Sequence, residues 1–228
     1  MSFDRQLALL VTILTTLVVF VGCTFYFALS VKISALIAAC ALITAALAFG
    51  RFESLKICFV SIVAVTLYGV IHDQITVRVC LEYFTVFHPP VFVTQSPTLL
   101  ALGWGVIATW WVGAFLGVML AIAARAGSRP KLSAVNLFKP IGKLLVATAG
   151  CALLAGFLGF VLTRQGVVFP PQWVSDNLSP AAYDRFMADW WAHNASYAVG
   201  FIGGIILCVL QYRRRVKDES ASPALGAA

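Results

Sequence analysis

The three histidines of the chain, His72, His88 and His193, are its most informative side chains, because carboxylates lie near them in sequence. Asp73 follows His72 directly, and Asp189 precedes His193 by four residues. Imidazole and carboxylate groups together bind metal ions or transfer protons near neutral pH. The candidate site therefore comprises six residues: His72, Asp73, Glu82, His88, Asp189 and His193. The predicted ligands of a metal ion, supported by the two aspartates, are His72, Glu82, His88 and His193.

Segment 68–90 is the densest in such groups, and its sequence is YGVIHDQITVRVCLEYFTVFHPP. If the helix before it continues, Tyr68, His72 and Thr76 line one face, because helical residues four apart share a face. Asp73 then lies on another face. Apolar residues recur irregularly among the polar ones as far as Phe87. This pattern indicates a segment partly buried near a membrane surface, where ionisable groups are costly and often functional.

A second column of polar side chains precedes the last apolar run. The serine–proline pair at 179–180 is a typical helix start. The members of the column follow it at four-residue steps and are Arg185, Asp189, His193 and Tyr197. Neighbours at this spacing touch on a helix, so Asp189 is predicted to orient His193. We further expect His72 and His193 to lie close enough to share a ligand or a hydrogen-bond network, because buried polar groups need partners.

A purely structural interpretation of the same residues stays open. Histidine–aspartate pairs also hydrogen-bond loops together and satisfy buried backbone groups. The spacing of the candidate residues matches no fixed metal-binding motif, and the chain holds no phosphate-binding loop, no GxGxxG and no HExxH. Whether the chain is an enzyme is therefore undecided at this level, and no cofactor is named.

The composition shows which solvent surrounds these groups. Of the 228 residues, 61% are hydrophobic and only 11% are charged, and the mean hydropathy is +0.94. A water-soluble fold of this length has too small a core for so much apolar surface, so the partner is a lipid bilayer. The net charge of +7 sits in short clusters between apolar runs, a pattern that favours membrane orientation over nucleic-acid binding. Among the six cysteines only Cys80 lies in a polar segment; no disulfide is predicted, and Cys80 is expected to be the cysteine that reagents reach from outside.

These features predict an all-α fold, a polytopic bundle of about six transmembrane helices in a single domain over 1–217. The predicted spans are 7–29, 33–50, 54–72, 99–124, 144–163 and 195–212. Outer polar segments are expected at 72–98 and 164–194, and a disordered cytoplasmic tail at 218–228. Gly113 and Gly117 form a small-residue stripe that predicts close helix packing.

The distribution of Lys and Arg predicts the orientation. With both termini in the cytoplasm, twelve of these residues lie inside and four outside, which agrees with the positive-inside rule. The four outer ones are Lys32, Arg78, Arg164 and Arg185. At the cytoplasmic end of the last span, a membrane-anchoring role is predicted for Arg213, Arg214 and Arg215.

Three strings of the sequence carry a resemblance, and they are GVIHDQITVRVCLEYFTVFHPP, SPTLLALGWGVIATWWVG and WWAHNASYAVGFIGG. With them, the chain from the third predicted span onward resembles a group of uncharacterised bacterial multi-pass membrane proteins. The resemblance implies a location in the bacterial inner membrane. It implies no activity and no functional residues.

Three hypotheses for function follow. The first is a small transporter or channel-like protein with a polar site on the outer face; the lack of charged residues in mid-span argues against an ion-coupled pump. The second is a membrane-embedded metal- or proton-handling enzyme that uses the histidine–carboxylate cluster. The third is an accessory subunit whose outer surface docks a larger membrane complex. Besides the bilayer, the expected partners are further copies of the chain or such a complex.

Overall fold

The computed structural model describes residues 52–92 and 94–221, and within these ranges all regular secondary structure is helical. The helices are α1 (Glu53–Val79), α2 (Leu81–Thr85), α3 (Pro97–Arg125), α4 (Ala134–Arg164), α5 (Gln172–Ser175) and α6 (Tyr183–Ala221), with a 3₁₀ turn at Pro180–Ala182 before α6. The predicted spans 7–29 and 33–50 lie outside the described residues, as does 222–228.

Among the described residues, four helical stretches are long and apolar enough to cross a membrane: α1, α3, α4 and Pro180–Ser220. They correspond to the last four predicted spans, but each is longer than predicted. Helix α1 continues past residue 72 to Val79, α4 begins at Ala134 rather than 144, and α6 begins at Tyr183 rather than 195. Helix α6 also continues to Ala221, so the first part of the predicted disordered tail, 218–221, is helical. Hydropathy predicts only the apolar part of each helix, whereas the backbone hydrogen bonds of the helix continue into the polar residues on either side.

Local sequence sets the ends of these helices. At the start of α4, Ser133 and Asn136 form a capping box that satisfies free backbone N–H groups. Just beyond the end of α4, Gly166 has φ +71°, a conformation that favours glycine. There the N–H of Val167 donates to the carbonyl of Leu162 and that of Gly166 to Thr163, which is a Schellman ending.

Helices α1 and α3 pack closely because glycines line their contact. A Cβ atom added to Gly105, Gly113 or Gly117 would lie 2.6–2.7 Å from a Cα atom of α1. The predicted packing role of Gly113 and Gly117 is confirmed. Helices α4 and α6 approach in the same way at Gly159, where an added Cβ would lie 2.6 Å from the carbonyl oxygen of Met187. The four long helices of the described residues thus form two close pairs.

The two ends of the bundle have different contents. The end that holds residues 80–96 and 165–182 is called the His88 end. The opposite end holds the start of α1, the turn 126–133 and the end of α6, and is called the Arg215 end. At the Arg215 end the carboxylate of Glu53 accepts from the backbone N–H of Ala134, which ties the start of α1 to that of α4.

The anchoring role predicted for Arg215 is wrong, because its side chain is fully buried. Its guanidinium donates four hydrogen bonds of 2.7–3.2 Å to carbonyl groups, and the acceptors are Ala123, Ala126, Arg129 and Pro130. These carbonyls lie at and just beyond the C-terminus of α3, which carries negative partial charge. Arg215 therefore attaches α6 to α3. The exposed Arg213 and Arg214 keep the anchoring prediction.

Candidate functional site

Helices α1 and α6 bring His72, Asp73 and His193 together near the His88 end. The ring centroids of His72 and His193 lie 4.6 Å apart in an edge-to-face arrangement, so the predicted convergence of the two histidines is confirmed. The Nε2 atom of His193 lies 3.3 Å from Oδ1 of Asp73. One possible ligand atom from each of the three residues lies within 4.8 Å of the others. We call this group the histidine cluster.

Both ring nitrogens of His193 face oxygen atoms. Its Nδ1 lies 2.7 Å from the backbone carbonyl oxygen of Asp189, one turn earlier on α6. A carbonyl oxygen only accepts, so Nδ1 carries the hydrogen and Nε2 is directed at the carboxylate of Asp73. The predicted orienting of His193 by Asp189 therefore acts through the backbone, and the carboxylate that faces the ring belongs to Asp73.

A further contact between α1 and α6 holds the histidine cluster in place. The hydroxyl groups of Tyr68 and Ser196 lie 2.8 Å apart in a hydrogen bond. The ring of Tyr68 also stacks on that of His72, with centroids 5.8 Å apart. Tyr68 thus fixes the spacing of the two helices one turn below His72.

Aromatic side chains cover the histidine cluster, and the sequence did not predict two of them as site residues. The ring of Tyr83, in the short helix α2, stacks on His193 with centroids 4.7 Å apart. Trp104 of α3 meets His88 edge to face at 4.7 Å. The many polar and aromatic side chains of segment 68–90 indicated a site near Tyr83, but only the tertiary fold places α2 against α6. Burial raises the pKa of the Tyr83 hydroxyl, as expected under this apolar cover.

The other predicted site residues do not join the histidine cluster. Glu82 lies 3.9 Å from the guanidinium of Arg185 and accepts from the thiol of Cys80. The Nδ1 atom of His88 lies 2.6 Å from the carbonyl oxygen of Tyr83, and burial lowers the pKa of the His88 imidazole. Of the four predicted ligands the structure therefore brings only His72 and His193 together, and the carboxylate beside them is that of Asp73.

Asp189 and Cys80 are both buried. Asp189 is 1% exposed, and among the described residues its Oδ2 has no hydrogen-bond partner. It lines a cavity of about 350 Å³ between α1, α4 and α6. Cys80 is fully buried, contrary to the accessibility predicted for it, and burial raises the pKa of its thiol to about 12.

A larger cavity, of about 610 Å³, adjoins the histidine cluster. Helices α1, α3, α4 and α6 all line it, and the side chains of His72, Asp73 and His193 contribute to its wall. His88 and Trp104 line it at the same end. The volume lies within the range of small-molecule sites, about 300–1,000 Å³.

The donor set of the histidine cluster fits a transition-metal ion. Two ligands on a tetrahedral metal at about 2.0–2.2 Å lie about 3.3–3.5 Å apart, which matches the 3.3 Å between His193 and Asp73. The Nε2 atom of His72 is buried and has no hydrogen-bond partner within the described part of the chain. The Nδ1–H of His193 on a backbone carbonyl is the usual support of a metal-bound imidazole.

A scan against protein-family models found no match for the chain, and comparisons with curated proteins and with solved structures found none either. The resemblance to bacterial multi-pass proteins therefore stays a prediction.

Proposed function

We propose that this chain is a metal-dependent protein of the bacterial inner membrane, with its metal ion bound by His72, Asp73 and His193. The observation that carries the proposal is the convergence of these three donors from two helices that are long enough to cross a membrane. Ionisable side chains at such positions are costly and are kept mainly for function.

The metal is Zn²⁺ or Fe²⁺. Two histidines and one carboxylate with open coordination positions are typical of catalytic zinc sites and of non-haem iron sites. The three donor atoms lie within 4.8 Å of one another, so the His72 imidazole would turn toward the other two ligands for all three to hold one ion. The ion would act as a Lewis acid toward a ligand in the 610 Å³ cavity, while Tyr83 keeps bulk water from the ring of His193.

We also propose six membrane spans with both termini in the cytoplasm, so that the histidine cluster lies toward the outer face. The Lys and Arg residues support this orientation. Among the described residues the His88 end holds three of them, and these are Arg78, Arg164 and Arg185. The Arg215 end holds ten, and these are Lys56, Arg125, Arg129, Lys131, Lys139, Lys143, Arg213, Arg214, Arg215 and Lys217.

Metal analysis of the purified protein tests the proposal. Protein loaded with Zn²⁺ or Fe²⁺ and then passed over a desalting column should retain one equivalent, whereas His72→Gln, Asp73→Asn and His193→Gln should each lose it. Two variants serve as matched controls, because His88→Gln and Glu82→Gln change a histidine and a carboxylate at the same end but outside the histidine cluster. Equal retention by all variants, or none by the wild type, refutes the metal centre.

A small transporter with the divalent metal ion as its solute is the second candidate, and the cavity favours it because a cavity of that size beside His72, Asp73 and His193 can hold a solute. Proteoliposomes exposed to radioactive Zn²⁺ separate the two readings. A transporter accumulates label with time and beyond the amount of protein, and Asp73→Asn abolishes the accumulation. A metal-dependent protein binds one equivalent at once and accumulates no more.

A further inference from the structure

The 610 Å³ cavity is elongated along the bundle. Its wall on α3 extends from Trp104 to Met119, and its wall on α6 from His193 to Cys208. Fifteen residues of helix rise about 22 Å. The cavity therefore continues from the histidine cluster through much of the apolar part of the bundle.

Polar groups line mainly one end of this cavity. The histidine cluster, His88 and Trp104 lie at the His88 end. Toward the Arg215 end the wall is almost entirely apolar, and its members there are Val112, Phe115, Leu116, Met119, Leu144, Leu145, Ile205 and Cys208. A long cavity that is polar at one end and apolar along the rest of its length is complementary to a ligand with a polar head group and an apolar chain.

We propose that this cavity binds a single-chain lipid with a carboxylate head, such as a fatty acid. The head lies at the histidine cluster and the chain extends toward Met119 and Cys208. The position of the head on the metal ion rests on the proposed metal centre, whereas the position of the chain rests on the cavity alone.

The groups at the polar end select the carboxylate. A divalent cation held by one aspartate and two neutral histidines keeps a net positive charge and open coordination positions, so it favours an anionic oxygen ligand. The indole N–H of Trp104 is buried without a hydrogen-bond partner in the described residues, and it can only donate. A carboxylate supplies one oxygen for the metal and one for such a donor.

The bilayer can supply this ligand from the side. Within the described part of the chain, Trp111, Phe115 and Phe201 are more than half exposed although they line the cavity. Phe115 of α3 and Phe201 of α6 stack across the gap with centroids 6.2 Å apart. The gap between α3 and α6 thus gives an apolar route to the cavity.

Two glycine substitutions provide the test. Gly200 lines the cavity, and a Cβ added there meets nothing within 4 Å, so Gly200→Leu narrows the cavity without a clash at Cβ. Gly150 is the matched control, since it lies on the long helix α4 outside the cavity and its Cβ also meets nothing within 4 Å. The assay is photolabelling by a diazirine analogue of palmitate of the protein in phosphatidylcholine nanodiscs, with unlabelled competitors.

We expect Gly200→Leu to reduce labelling about tenfold, which corresponds to about 1.4 kcal/mol of binding free energy, because the added side chain takes space in the cavity. We expect Gly150→Leu to label as the wild type. Palmitate should compete, whereas hexadecanol, with the same chain but no carboxylate, and butyrate, with the carboxylate but a short chain, should not. Equal labelling of both variants overturns the lipid site, and competition by hexadecanol overturns the carboxylate head.

Metal content measured on the same samples keeps the two proposals apart. Gly200→Leu should retain its metal while it loses the lipid label. If the wild type binds no metal but its labelling still depends on Gly200, the lipid site stands and the metal centre fails. If metal is retained and labelling is the same in both glycine variants, the metal centre stands and the lipid site fails.

Discussion

Replacing Arg215 with methionine should be among the most damaging single changes at the Arg215 end of the bundle. The guanidinium is fully buried and donates four hydrogen bonds to carbonyls at the end of α3 and in the turn after it. Methionine has a similar length and no donor. The variant therefore removes every one of these bonds and leaves the carbonyls of the α3 terminus without their cation.

The expected cost is smaller than the sum of the bonds. A hydrogen bond to a charged group contributes about 1.5–3 kcal/mol, so four would suggest 6 kcal/mol or more. Two effects offset part of this loss: the variant no longer buries a charge, and water reaches some of the carbonyls in the turn 126–133. Removing one partner of a buried charged contact typically costs about 3–5 kcal/mol, and we expect Arg215→Met to lower the free energy of unfolding by that amount.

Denaturation in mixed micelles, with dodecyl sulfate as the denaturant and helical circular dichroism as the readout, measures this quantity. Arg214→Met is the matched control, because Arg214 is half exposed and only lies 3.9 Å from Asp218 one turn later. Such exposed pairs contribute about 0–1 kcal/mol. If the two variants differ by less than about 1 kcal/mol, Arg215 does not attach α6 to α3 as described.

Three further predictions follow from burial and close packing. Cys80 is buried and the pKa of its thiol is raised to about 12, so a membrane-impermeant maleimide should modify Asn177→Cys but not Cys80 in the folded protein; rapid modification of Cys80 contradicts this. Burial lowers the pKa of His88, so this imidazole takes up a proton more readily in the unfolded chain than in the folded protein. Acidification from about pH 7 to about pH 5 should therefore reduce the free energy of unfolding, and His88→Gln should weaken that pH dependence. The same pH dependence in His88→Gln and the wild type would contradict this prediction. An added Cβ at Gly105 would meet the backbone of α1 at 2.6 Å, so Gly105→Ala should destabilise by about 1–3 kcal/mol relative to Gly150→Ala, and a difference under about 0.5 kcal/mol would contradict the close contact.

Much of the architecture follows from the sequence because lipid imposes a simple rule. A chain segment in hydrocarbon satisfies its backbone groups within itself, so each long apolar run predicts a helix. The ends of those helices were harder to predict. Helix α1 continues past the apolar run because its polar residues find partners: Arg78 donates to the side chains of Gln74 and Thr98, and Gln74 donates to the backbone of Thr98.

The contents of the histidine cluster were predictable only in part. The cost of unpartnered polar groups was enough to predict that His72 and His193 meet. The helical periodicity predicts that Asp73 lies on a different face of α1 from His72, because successive helical residues are about 100° apart. Helix α6 approaches α1 between these two directions, so His193 contacts both side chains. Such a rotation depends on the packing of the whole bundle and not on the spacing within one helix.

The role of Arg215 likewise depends on the tertiary fold and not on the sequence around it. In sequence it is the third of three consecutive arginines, and nothing in that run separates it from Arg213 and Arg214. Its position on α6 directs the Arg215 side chain toward the end of α3, where its guanidinium donates to four carbonyl groups. A helix end predicts the need for a donor, but only the tertiary fold decides which of the three residues supplies it.

These contacts together give the bundle two close pairs and a looser seam between them. Glycines bring α1 against α3 and α4 against α6, whereas large side chains such as Phe115 and Phe201 separate α3 from α6 beside the cavity. Arg215 fastens the pairs to each other at one end, and the contacts of His193 with α1 do so at the other. A metal ion in the histidine cluster would strengthen the second fastening, because its ligands come from both pairs. If the proposed metal ion binds, it would therefore join the two pairs beside the cavity, and a ligand whose head reaches the metal would depend on both the ion and the cavity.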